Sequence, residues 1–145
     1  MVRVIFVIDF TAKKCQDTGT YDEVYDIPYL DSVRRAAKLN NTKILYITPS
    51  GILTDSRKEI CYEKLNPVIY SNPAKYRIWL SIIAVQIRRQ CISQEADRVV
   101  LLGNTQRTDK LKKNLNSMGV FCTAPTVGMS RNTQESYIRK ILNKS

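Results

Sequence analysis

Val2-Arg3-Val4-Ile5-Phe6-Val7-Ile8-Asp9 is the stretch on which the fold turns. Its β-branched and aromatic residues read as a buried strand, and the apolar run is too short for a signal peptide before Asp9 interrupts it. Downstream, strand-like and helix-like segments alternate. A polar stretch over 11–27 carries Asp17, Asp22, Glu23 and Asp26. Pro28 then suits a first helical turn, with Tyr29-Leu30, Val33 and Ala36-Ala37 at helical spacing. Lys43–Ile47 reads as a second strand, Thr48-Pro49-Ser50-Gly51 as a turn, and Thr54 to about Leu65 as a helix. Pro67–Tyr70 reads as a short third strand.

The next helix, Lys75 to about Ile92, follows a cap signal in Ser71-Asn72-Pro73. Tyr76, Ile78, Trp79, Leu80, Ile82, Ile83, Val85 and Ile87 make it apolar on nearly all sides, so it is expected to pack against more than the sheet. Arg88-Arg89 suits the negative end of its dipole. Arg98–Leu102 and Val120–Ala124 read as the fourth and fifth strands. Between them Leu111, Leu115 and Met118 mark a helix face that Gly119 terminates. Asn132 to Glu135 resembles the capped start of a last helix through Tyr137, Ile138, Ile141 and Leu142. The expected fold is one α/β domain over residues 1–145, a three-layer α/β/α sandwich around a mostly parallel five-stranded sheet. In the order 3-2-1-4-5, ligands bind at the carboxyl ends of the first and fourth strands, which places interest on 9–12 and 103–109.

Composition narrows the chemistry. There is no histidine in the 145 residues, which excludes every catalytic arrangement that needs imidazole. Cys15, Cys61, Cys91 and Cys122 are scattered without a C-x-x-C pair, as expected of reduced, packed thiols in an intracellular protein rather than a zinc site. No apolar stretch approaches the roughly 20 residues needed to span a bilayer, so no membrane partner is expected. The net charge of +10 is uneven: residues 1–72 hold 10 Lys/Arg and 9 Asp/Glu, whereas residues 73–145 hold 13 and 4. A basic half suits a polyanion such as RNA, and equally a solvated surface.

Asp9 stands where a carboxylate can enter the crevice, with Thr11 able to add a hydroxyl; an acceptor for loop amides is the structural alternative. Asn104, Thr105 and Gln106 offer hydrogen bonds, and Arg107 offers a fork suited to phosphate. The plain alternative is a polar loop whose Thr108 caps the next helix. Lys110, Lys112 and Lys113 are candidate phosphate contacts or a solvated helix face.

At these residues the chain resembles the NYN branch of the PIN-like nuclease superfamily, from Arg3 to about Ser130. Val4 to Asp9 is similar to that family's first strand and leading aspartate. Lys43 to Gly51 is similar to its second strand and turn, and Arg98 to Gly103 with Asn104-Thr105-Gln106 to its strand and S-G-D-S-D loop. The resemblance implies RNA hydrolysis by clustered carboxylates holding Mg²⁺ or Mn²⁺. Here only Asp9 matches. The asparagine usual after it is replaced in the Thr11-Ala12 region, no acid lies in Lys75–Ser81, and both loop acids have become the amides Asn104 and Gln106.

Amides lack the charge that offsets ion dehydration, so Asp9 alone is at best a weak metal ligand and no cofactor is expected. The expectation is a degenerate domain that binds RNA or serves in RNA processing. Thr11, Asn104, Thr105, Gln106, Arg107, Lys110 and Lys113 are its contacts, alongside a protein partner or a second copy. One alternative is an active Mg²⁺- or Mn²⁺-dependent endoribonuclease in which Asp9 is catalytic and recruits Asp109, Asp22 or Asp26. Another is a protein-interaction module, since Asp9-Phe10-Thr11 is similar to the metal-adhesion loop of von Willebrand A domains, with Lys13 where that family has a second hydroxyl.

Overall fold

The alternation is present in the computed structural model, which describes residues 3–9, 11–14, 21–24, 29–48, 51–54, 72–103, 105–124 and 130–144. Strand β1 (Val4–Ile8) is buried at every position. It pairs in parallel with β4 (Leu45–Thr48) on one side and β6 (Arg98–Leu102) on the other, and β6 pairs in parallel with β7 (Cys122–Thr123). Four parallel strands therefore run β4-β1-β6-β7, and β5 (Gly51–Thr54) closes one edge antiparallel to β4. Burial on both faces explains why β1 and β6 are continuous apolar runs rather than alternating ones.

The odd and even residues of these strands feed two separate cores. Ile5, Val7, Leu45, Ile47, Val99 and Leu101 pack against helices α2 (Pro73–Ser93) and α3 (Thr105–Ser117). Val4, Phe6, Ile8, Tyr46, Val100 and Leu102 pack against α1 (Leu30–Leu39) and α4 (Arg131–Lys144). Helices thus cover both faces of the sheet. No helix among the described residues is long and apolar enough to cross a membrane.

Local chemistry sets the helix ends. Asn72 caps α2, its Oδ1 accepting from the amides of Ala74 (3.1 Å) and Lys75 (3.2 Å), with Pro73 entering the first turn. Gly119 follows α3 with φ +82°, and the Val120 amide returns to the Leu115 carbonyl at 3.0 Å. Ser130, not Asn132, caps α4: its Oγ accepts from the Thr133 amide at 3.2 Å. Tyr29 precedes α1 in a left-handed conformation (φ 58°), and Arg139 of α4 lies over its ring at 5.1 Å.

Three expectations are corrected. The segment 51–54, expected as turn and helix start, is the antiparallel strand that holds the sheet edge beside β4, the place expected for the third strand. Pro67–Tyr70 and the helix expected to Leu65 lie outside the described residues. Part of the polar stretch 11–27 is a hairpin, β2 (Thr11–Lys14) against β3 (Tyr21–Val24), forming a separate two-stranded sheet. Finally, 103–109 is mostly helix rather than loop, because α3 begins at Thr105; Thr108 is a buried residue within it and not its cap.

Candidate functional site

The tips of β1 and β6 meet. Their parallel register runs from Val4 beside Arg98 to Ile8 beside Leu102, and the Asp9 amide extends it by donating to the Leu102 carbonyl at 2.7 Å. Gly103 continues directly against Asp9. Its φ is +112°, and a Cβ there would stand 2.4 Å from the Asp9 carbonyl oxygen. Only glycine allows this approach, which brings the start of α3 over the end of β1.

Helix α3 then places Arg107 opposite Asp9. The guanidinium is bidentate, Nε donating to Oδ2 at 2.8 Å and Nη2 to Oδ1 at 3.0 Å. Both residues are buried, Asp9 1% and Arg107 6% exposed. Two residues 98 apart in the chain therefore form an ion pair in the interior. Its geometry is the fork-on-carboxylate match that offsets desolvation best.

Helix α2 supplies the wall. As the crossover helix into β6 it begins at the carboxyl edge of the sheet, which brings Tyr76 and Trp79 to the pair. The Arg107 guanidinium carbon lies 5.9 Å from the Trp79 ring centre, a cation–π distance. The Tyr76 and Trp79 rings are 5.9 Å apart. Lys110 Nζ sits 5.2 Å over the Tyr76 ring. Burial pushes the Tyr76 hydroxyl above its ordinary pKa; the Arg107 charge opposes this and the Asp9 charge adds to it. Tyr76 is therefore a neutral hydroxyl near neutral pH.

The anticipated residues divide as follows. Asp9 and Arg107 come together, but Arg107 is turned inward onto Asp9 instead of facing solvent as a phosphate contact. Gln106 and Lys110 are exposed on α3, and Lys113 is exposed with Nζ 3.4 Å from Asp109. Lys112 is half-buried. Thr105 opens α3, and Thr11 belongs to the separate hairpin at a position opposite Val24. Asn104 lies outside the described residues. Tyr76 and Trp79 were missed as site residues. Their i, i+3 spacing at the start of a helix that must begin beside the site was the available signal.

A divalent cation does not fit the donors seen. Both Asp9 oxygens accept from one guanidinium, and among the described residues no group of three or more His, Cys, Asp or Glu comes together. Hard cations favour several anionic oxygens, and here the buried Asp9 carboxylate already faces the Arg107 charge. This edge presents the Tyr76 phenol and, on α3, the exposed side chains of Gln106, Lys110 and Lys113. No family model, curated protein or solved structure matches this chain.

Proposed function

We propose that this chain is an RNA-binding domain of NYN/PIN-like descent in which an internal ion pair stands where that family keeps its metal. The observation that carries this reading is the bidentate Arg107–Asp9 pair at the carboxyl tips of β1 and β6. It occupies the position of the leading carboxylate with a cation the protein supplies itself. Gln106, Lys110 and Lys113 lie at i, i+4 and i+7 on α3, so they share one face beside the pair. The excess of Lys/Arg in residues 73–145 gives that face a sign suited to phosphates.

The test is fluorescence anisotropy with a labelled single-stranded RNA. Two to three phosphate contacts predict roughly tenfold weaker binding between 50 and 200 mM salt. Lys110→Glu with Lys113→Glu should weaken it at least fivefold at low salt without changing the thermal midpoint. Affinity indifferent to salt would sink the reading. Cleavage that needs Mn²⁺ and vanishes in Asp9→Asn would replace it with the endoribonuclease alternative.

A second reading, a protein-interaction module, draws on a different observation: α2 leaves large apolar side chains in solvent, with Ile78 61%, Ile82 50% and Ile92 65% exposed. RNA contact gives no reason for them.

A further inference from the structure

The exposed apolar residues of α2 are not scattered. Ile78, Ile82, Val85 and Ile92 follow the spacing 4-3-7, and Arg89 occupies the step between the last two, so the row is 4-3-4-3. Lys75 precedes it by three. This is the seam of a coiled coil, two positions per heptad, and it lies opposite the residues that α2 buries in the core (Leu80, Ile83, Ala84, Ile87). The buried face already satisfies the sheet. Among the described residues, the seam stays exposed.

We propose that α2 docks an amphipathic helix of a partner protein that carries acidic residues opposite Lys75 and Arg89. Charge decides the partner's chemistry. Within Pro73–Ser93 there are four cations, Lys75, Arg77, Arg88 and Arg89, and no acid. Two copies of this chain paired in parallel would set Arg89 against Arg89. Paired antiparallel, they would lay it on isoleucine with no acid from either helix. A second copy is therefore a poor occupant, whereas a helix with glutamates at those steps neutralises each cation as the seam closes. A bilayer is also a poor occupant. Surface-lying helices use Trp, Phe and Leu on the apolar face, and a cation in mid-stripe would enter the hydrocarbon boundary. From Lys75 to Ile92 the seam is about 25 Å long, which calls for a partner helix of about 18 residues.

The experiment titrates the intact chain with two synthetic 21-residue helical peptides, both with leucines on a heptad seam. One has glutamates at the steps facing Lys75 and Arg89; the other has lysines there. The expected result is binding of the acidic peptide at least tenfold tighter than the basic one. Ile82→Ser should weaken it at least tenfold, and Arg89→Glu should reverse the preference. Both positions are exposed, so the thermal midpoint should hold and report that the fold is intact. Binding of neither peptide, as when another part of the chain fills the seam, overturns the proposal. So does equal binding of both, or a preference that survives Arg89→Glu. Sedimentation of the chain alone as a dimer that Ile82→Ser dissolves, or Ile82-dependent binding to anionic vesicles, would also overturn it. None of these readouts uses RNA, so the proposal and the RNA reading fail independently.

Discussion

At the residue scale, the pairing of Asp9 with Arg107 sets what this edge of the sheet can do. A carboxylate 1% exposed is tolerable because two N–H groups and a full positive charge face it. Arg107→Ala removes both of those N–H donors and the charge at once, leaving the buried anion without its countercharge, and should cost about 3–5 kcal/mol in urea unfolding. Asp9→Ala should cost less, because the freed arginine has a long stem with which to reach water. The double variant should be no worse than Arg107→Ala, and a double-mutant cycle measures that coupling. Additive losses would mean that the two side chains act independently. Gly103→Ala attacks the same spot through the backbone: strain alone is worth about 1–3 kcal/mol, before the clash with the Asp9 carbonyl is counted. Asp9 and Arg107 were each legible in the sequence as candidates. Their partnership was not, because a basic and an acidic residue 98 positions apart look like two separate contacts until burial shows that neither reaches solvent.

At the scale of elements, legibility tracked burial. β1 and β6 announce themselves because both faces are covered and no polar residue interrupts them. The start of α2 was visible because Asn72-Pro73 leaves few alternatives, and Asn72→Ala should lower stability by about 1 kcal/mol by freeing two amides. A thermal midpoint unchanged by that substitution would show that water caps the helix equally well. The edge strand β5 was missed. Four residues, one of them Gly51, next to a Pro-Ser-Gly sequence that reads as a turn carry no period, and the pairing with β4 is a property of the sheet rather than of the segment. The hairpin β2–β3 escaped for the same reason. In α2 the apolar excess was expected to pack against more than the sheet; its buried face does meet α3 as well as the sheet, and a second apolar row is left exposed.

At the scale of the whole molecule, alkaline pH should unfold this protein. Burial pushes the Cys122 thiol from 9.0 up to about 12, and the thiol of Cys91 and the hydroxyls of Tyr76 and Tyr137 move in the same direction. Above pH 9 the unfolded chain releases the Cys122 proton while the folded chain keeps it. The stability tied to that thiol is therefore complete below pH 9 and is lost as pH climbs toward about 12. Cys122 accounts for about 2 kcal/mol of loss by pH 10.5. Cys122→Val keeps the packing and should abolish that share, as read from urea midpoints at pH 8 and 10.5. Identical alkaline losses in the two proteins would place the sensitivity elsewhere.

The rung that the Asp9 amide adds to the central ladder has one more consequence. The candidate edge is tied to β1 and β6 by the same kind of bond that holds those strands together, so the ladder continues one residue beyond the end of β1. Under the RNA-binding proposal, a ligand at this edge would meet backbone already hydrogen-bonded in place, which would lower the ordering cost of its association.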